Sequence, residues 1–391
     1  MARTECDVLI VGGGPTGVAA AWSAAESGLS TIIVDARDGI VADMDRGRAV
    51  AIMAGTRDRL IDLDLWPALA DVALPIHRVR IQASQSGHEH LYQAHDLGRS
   101  LLFHGIDYGT LRARIARKLR STGLLRHFRR RRLAHLHLDA GWRRAGLDDG
   151  TEIRARLVIG ADGRRSTVRE AVGLTARRSE FPQTAVIFGV EGDLLEPGTV
   201  LERLTLEGPI SVLPTGAGRF AVTWVDSTTA ALRRRALPAR DFLAEFAAAL
   251  ELPAAASARL ATPVTLQRLG LSHADRYVAP RLVLVGDAAH GGHPVHAQGF
   301  NMAIGDVHEL AMLWRVEGRG FAGAEALARF QRSRRMSNAA RLGFTDVMNR
   351  LFEASNAPFA FMQGTMASSI LAHATGTLPA VGRHDDDHLI G

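Results

Sequence analysis

Only one cysteine, Cys6, occurs in the 391 residues. A single thiol excludes an internal disulfide and a cysteine-rich metal cluster. No apolar run reaches the roughly 18 residues that a membrane-spanning helix needs. The opening stretch Met1-Ala2-Arg3-Thr4-Glu5-Cys6-Asp7 lacks a basic segment followed by an apolar one. No secretory leader is read there, and a cytoplasmic address is expected. Internal repeats are absent. Aromatic residues make up only 6% of the chain, and they are missing from its sharpest basic run, Arg129-Arg130-Arg131-Arg132. The net charge is +6 and arginine heavily outnumbers lysine. Without interleaved rings on which bases stack, the run reads as a solvated hairpin surface, and no nucleic-acid partner is expected.

What remains is an ordinary globular composition, 47% hydrophobic and 23% charged, long enough for two or three domains. Two β-branched and Leu-rich runs end in glycine, Val8-Leu9-Ile10-Val11-Gly12 and Leu282-Val283-Leu284-Val285-Gly286. Buried parallel strands that stop at a ligand have this form. Residues 4–34 read as strand, glycine turn, Ala-rich helix from Gly17 to about Ser27, and a second strand. Helical periodicity marks 57–70, 109–121, 239–251, 303–316 and 323–355. Alternating segments at 76–103, 126–160 and 180–270 read as strands, those of 180–270 forming an antiparallel sheet around one helix.

Gly12-x-Gly14-x-x-Gly17 follows a strand and opens a helix, with Asp35 at the end of the next strand. The first glycine permits the turn, the second admits a pyrophosphate, and the third lets helix pack on sheet. Pro15 and Thr16 lie between them, at a helix N-terminus whose free N–H groups favour phosphate. Asp35 is placed for a ribose and against a 2′-phosphate, so the resident dinucleotide is not NADP. Downstream, Asp287 at a strand end suits a second sugar-like chain. Gln298-Gly299-Phe300-Asn301-Met302 opens a helix whose positive end suits an electron-rich ring, which points to FAD rather than NAD.

With Gly160-Ala161-Asp162-Gly163-Arg164-Arg165-Ser166-Thr167-Val168-Arg169 between them, these motifs resemble the FAD-dependent aromatic hydroxylases related to p-hydroxybenzoate hydroxylase. The branch most similar is that of ubiquinone biosynthesis, through Pro75-Ile76, Glu207-Gly208-Pro209-Ile210 and Thr345 to Phe352. The resemblance implies a Rossmann-like FAD domain (1–75, 104–178 and 276–335) and an inserted antiparallel-sheet substrate domain (76–103 and 179–275). C-terminal helices and a tail (336–391) complete the α/β fold. It implies monooxygenation of an electron-rich phenolic or quinone-precursor ring through a flavin C4a-hydroperoxide, with O2 and transient NAD(P)H docking near Asp162 and Arg169. Carried over by position, Arg48 meets the pyrophosphate region, Arg37 flanks the adenosine and Pro294 lies near the flavin ring. Asp162 and Asp287 hold the cofactor, and the backbone of Gly299, Phe300 and Asn301 meets the ring's pyrimidine edge. His296-Ala297 stands where the ubiquinone branch has Ala-Gly, and His104 and Tyr108 stand where many relatives carry Arg or Gln. A polyprenyl reductase or a non-redox cyclase or partner-binding protein on the same scaffold is the alternative. The Trp-x-Trp-x-Ile-Pro signature of flavin halogenases is absent.

His290, His293 and His296 recur every three residues but lack a carboxylate or cysteine array, so no metal site is expected. His296 is a candidate for orienting a phenol or taking its proton, beside the reading as a loop-packing histidine. Val190, Leu213 and Trp224 are candidates for an apolar substrate cleft, with core packing as the alternative for Val190 and Trp224. Phe344, Val347, Met348, Leu351 and Phe352 recur at helical spacing, and the resemblance allows a peripheral membrane or protein partner there.

Overall fold

A computed structural model describes residues 4–37, 47–83, 89–119, 123–291 and 298–353. Its strands sort into three sheets. The first is built around β1 (Thr4–Val11), flanked in parallel by β2 (Thr31–Asp35) and β11 (Glu152–Gly160). β8 (Leu125–Arg129) pairs parallel with β2, and β19 (Leu282–Leu284) pairs parallel with β11. Register places Val34 and Gly160 beside Val11, and Leu284 beside Gly160. The C-terminal ends of all four strands therefore share one edge, where open α/β sheets bind ligands. Parallel neighbours and covering helices bury β1 on both faces, so Val8, Leu9 and Ile10 have no exposure. Each such side chain contributes about 1.5–3 kcal/mol of burial.

α1 (Pro15–Glu26) begins two residues earlier than the periodicity suggests, because Pro15 suits the first helical turn. The helical reading of 57–70 resolves into α2 (Ala54–Asp62) and a short 3-10 turn at Trp66–Ala68. Asp64, with φ of 54°, interrupts it. α3 (Tyr108–Leu119) packs against α1, and α7 (Gln298–Glu317) covers α1 from the other end of the chain.

The second sheet has nine strands. β12 (Ala176–Glu191), β13 (Thr199–Leu204), β14 (Pro209–Gly216), β15 (Arg219–Ser227) and β17 (Thr265–Ala274) form its antiparallel centre. β5 (Arg78–Ala83) joins in parallel to β13 and brings β6 (Glu89–Gln93) with it. One face is covered by α6 (Ala239–Leu250), whose Phe242 and Phe246 pack edge-on to Phe188. A third sheet of β3 (Ala49–Met53), β4 (Leu74–Ile76) and β7 (Phe103–Asp107) lies against β14.

Two elements cross the expected domain divisions. The division at 336 falls inside one helix, α8 (Ala324–Glu353), which packs on α7. β20 (His290–Gly291) lies in the stretch assigned to the cofactor half, yet pairs with β17 of the second sheet. Among the described residues, no helix is long and apolar enough to cross a membrane.

Candidate functional site

The shared strand edge opens into a cavity of about 690 Å³ between the first two sheets. Its floor is the turn from β1 into α1. Gly12 has φ of 115°, and a Cβ there would lie 2.3 Å from the Ala161 carbonyl oxygen. A Cβ on Gly17 would lie 1.9 Å from the Gly12 oxygen, so only glycine lets α1 sit so close to the turn. Gly14 differs. Among the described residues nothing comes nearer its Cβ position than an Arg37 nitrogen at 3.9 Å, and the residue lines the cavity. The α1 N-terminus carries no side-chain cap and no acidic residue in its first turn. A bare helix start behind open space suits an anionic pyrophosphate.

At one end of the cavity, the backbone N–H of Arg37 donates to Asp35 Oδ1 at 3.1 Å. Arg112 of α3 donates from Nε to the Gly13 carbonyl at 3.2 Å and reaches Asp35 Oδ2 at 3.4 Å. Its side chain is buried, so the glycine turn and Asp35 are tied together by one guanidinium. Arg131 and Arg132 also line this end, and the Arg131 N–H donates to the Asp35 carbonyl. The basic run is thus not only a solvated hairpin surface; two of its arginines border the cavity. Arg48 stacks over the Tyr108 ring at 4.9 Å, and both line the middle of the cleft. His104 faces away, against Trp66.

The second motif meets the first directly. A Cβ on Gly286 would lie 3.0 Å from Thr16 Oγ1, so the end of β19 rests on the start of α1. This contact sets Asp287, half exposed, into the same cavity as Thr16, Gly299 and Phe300. Asp162 follows β11. Its Oδ2 accepts from Thr167 Oγ1 at 2.9 Å and from the Val168 N–H at 3.1 Å. Its buried Oδ1 has no partner among the described residues. That orphan acceptor, the open face of Gly14 and the uncapped helix are what a bound dinucleotide would satisfy.

Several assignments change in the structure. Arg169 is buried and donates to the carbonyls of Ala288 at 2.7 Å and Arg164 at 2.8 Å. Its two terminal nitrogens are occupied in holding the motifs together. The Asn301 side chain donates to the Ala51 carbonyl at 2.9 Å and accepts from the Met53 N–H at 3.2 Å, which ties the start of α7 to β3. Val190 and Trp224 share the helix-covered face of the second sheet with Phe188 and Phe242. The cavity wall is the opposite face, with Ile187, Thr223 and Gln267. Alternation by two puts Val190 and Trp224 out of reach of a ligand there. Leu213 is on the cavity side, 3.3 Å from the Cβ position of Gly105. His293, Pro294 and His296 lie outside the described residues.

His290 is fully buried, and its Nε2 meets Asp306 Oδ2 at 2.5 Å. Asp306 also accepts from the Gly286 N–H at 3.0 Å, Arg334 Nε at 2.8 Å and Asn338 Nδ2 at 3.0 Å. Burial opposes ionisation of this carboxyl, but the attraction and hydrogen bonds of His290 and Arg334 prevail and hold it down to about 2. The network fastens the Asp287 turn to α7 and α8. Sequence reading singled out His290 but missed its partners, and it missed Arg112, whose only signal is an arginine beside the apolar stripe Leu111, Ile115 and Leu119.

Comparison with known proteins gives a consistent picture. The model of the FAD binding domain family matches residues 5–345. Ubiquinone hydroxylase UbiL of Rhodospirillum rubrum is 35% identical over 95% of this chain and 90% of its own. 3-Demethoxyubiquinol 3-hydroxylase of Escherichia coli is 27% identical over 94% of this chain and 96% of its own. The crystal structure of p-nitrophenol 4-monooxygenase PnpA from Pseudomonas putida superposes with a TM-score of 0.80 at 21% identity, covering 95% of each chain.

Proposed function

Since the chain belongs to the FAD binding domain family and is an FAD-dependent aromatic monooxygenase, we propose that its substrate is the phenolic or quinol ring of a ubiquinone precursor. The observation that carries this reading is the 35% identity to a ubiquinone hydroxylase along 95% of the chain. Bound FAD would supply the redox chemistry, with NAD(P)H as the electron source and O2 as the source of the oxygen atom added to the ring.

The protein's own residues bind, orient and shield. The glycine turn of Gly12, Gly14 and Gly17, with Pro15 and Thr16, would cradle the pyrophosphate at the start of α1. Asp35, kept in place by Arg112, would accept from the adenosine ribose, with Arg37 alongside and Arg48 over the phosphates. Asp162 and Asp287 would hold the ribityl chain, and the backbone at Gly299, Phe300 and Asn301 would meet the flavin's pyrimidine edge. The family resemblance assigns Pro294 to the flavin ring, and His296, where the ubiquinone branch has a small residue, is a candidate for orienting the phenol. The face of the second sheet bearing Leu213 and Thr223 would cover the substrate ring and keep water from it. We assign the enzyme a peripheral place at the membrane, where such a precursor is dissolved; Met312 and Val316, 40% and 76% exposed on α7, are apolar contacts for it.

The test is NADH or NADPH oxidation by purified FAD-loaded protein, with and without a short-chain ubiquinone-precursor phenol. Oxidation that accelerates on adding the phenol, with a hydroxylated product, supports the reading. The same rate with and without it contradicts the substrate class.

A further inference from the structure

One ladder row of the second sheet carries polar side chains towards the cavity. Glu202 on β13 pairs with Ser211 on β14, Ser211 with Thr223 on β15, and Thr223 with Ile187 on β12. Residues opposite one another in a ladder share a face. Ile187 and Thr223 line the cavity, and Ser211 and Glu202 carry the same sheet face on past that lining, towards the third sheet. With strands about 4.8 Å apart, Glu202 stands two steps from the cavity wall at Thr223.

The Ser211 hydroxyl donates to Glu202 Oε1 at 2.6 Å, which leaves the serine's lone pairs free to accept. Glu202 Oε2 is shut off from solvent and has no partner among the described residues. Described neighbours on that side are Ser211, Ile81 of β5 and the apolar cluster of Val200, Leu204, Ala51 and Phe103. None of these titrates. Arg203, the adjacent residue, points to the other face, towards Gln82 and Glu251. Burial pushes the Glu202 carboxyl up to about 8, against the pull of the Ser211 hydrogen bond. A carboxyl without a cation in an apolar setting is costly to the fold, and such groups concentrate where protons are moved.

Resting on the aromatic-hydroxylase reading above, we propose that Ser211 and Glu202 form a two-step proton path that ionises the hydroxyl of the bound ring. The acceptor is the ionised form of Glu202, whose share grows as pH rises towards 8. The ring O–H bond breaks and its proton passes to Ser211 Oγ, as the serine's own proton passes to Glu202 Oε1. The electron pair stays on the ring oxygen. The products are a phenolate and a neutral Glu202, with no change of oxidation state. A phenolate pushes electron density onto the ring carbon that accepts oxygen. In this path Ser211 would meet the ring hydroxyl at the edge of the cavity, and Glu202 would act behind it as the final acceptor.

The experiment uses holoenzyme of the wild type, Glu202→Gln, Glu202→Asp and Ser211→Ala, with FAD content measured on each to establish folding. The probes are 2-allylphenols with ring substituents that grade the hydroxyl's acidity. Glu202→Gln is expected to lower kcat by about 100-fold for the least acidic phenol, the usual size of a lost acid–base step. The loss shrinks towards none for a phenol already ionised in solution, Glu202→Asp recovers part of the rate, and Ser211→Ala follows Glu202→Gln. The wild-type rise of kcat with pH near neutrality disappears in Glu202→Gln. An equal loss across the series, or an unchanged pH profile, overturns the proton path while wild-type turnover upholds the hydroxylase. A wild type that hydroxylates no member of the series overturns the hydroxylase reading and the path together.

Discussion

Glu202 also has a stability signature that needs no substrate. Its folded carboxyl titrates at about 8 against an ordinary 4.5, so the folded state holds a proton that the unfolded chain has released. For a raised value the stabilisation is complete below the unfolded pKa and is lost as pH rises to the folded one. The wild type should therefore weaken between pH 4.5 and 8, and Glu202→Gln, which does not titrate, should not. Urea unfolding at both ends of that window checks this. The expected result is a variant more stable than wild type above pH 8, by on the order of 5 kcal/mol, with little or no such gain at the acid end. An equal difference at both ends would mean that Glu202 is not held protonated. Nothing in Thr-Val-Leu-Glu-Arg-Leu tells which of the two adjacent charged residues turns inward. Alternation gives two faces, but the third sheet and α6 decide which face is the cavity wall. The same limit explains Val190 and Trp224, whose alternation was visible while the covering by Phe242 and Phe246 was not. By contrast, Gly12, Gly14, Gly17 and Asp287 were legible because a strand ending in a glycine turn is a local pattern.

At the scale of elements, the site depends on how firmly the Asp287 turn is tied to α7 and α8. Asp306 accepts hydrogen bonds from Gly286, Arg334 and Asn338 and pairs with His290. Asp306→Asn leaves Arg334 a buried cation without its carboxylate, a change that costs about 3–5 kcal/mol. The turn should loosen with it, so FAD affinity should fall alongside stability. Fluorescence titration of FAD and urea unfolding measure the two, and a variant that keeps wild-type FAD affinity would show that the turn stands without the network. The pH dependence has the opposite sign to that of Glu202. Asp306 is depressed from 3.8 to about 2, so its contribution is present above the unfolded value and is lost as pH falls through the folded one. The variant should lack that acid-side loss. These partners are distant in sequence, on β20, α7 and α8, and only the fold brings them together. Arg112 is a parallel case. On α3 it reads as one more helical arginine, until α1 and α3 pack and carry it to Gly13 and Asp35.

For the whole molecule, two motifs from opposite ends of the chain close on one cavity because parallel register aligns the ends of β1, β2, β11 and β19. The second sheet then lies over that cavity, with Glu202, Ser211 and Thr223 in one polar row of the facing side. A cofactor bound along the strand edge and a ring held under the sheet follow from this layering. The central claim is that the protein transfers one atom of molecular oxygen to an aromatic ring. Its most direct test is turnover of a ubiquinone-precursor phenol by FAD-loaded enzyme and NAD(P)H under isotopically heavy O2. The product is expected to carry one heavy oxygen atom, with one NAD(P)H consumed per hydroxylation. A product with oxygen from water, or NAD(P)H consumed with no oxygen added to the ring, would contradict the account.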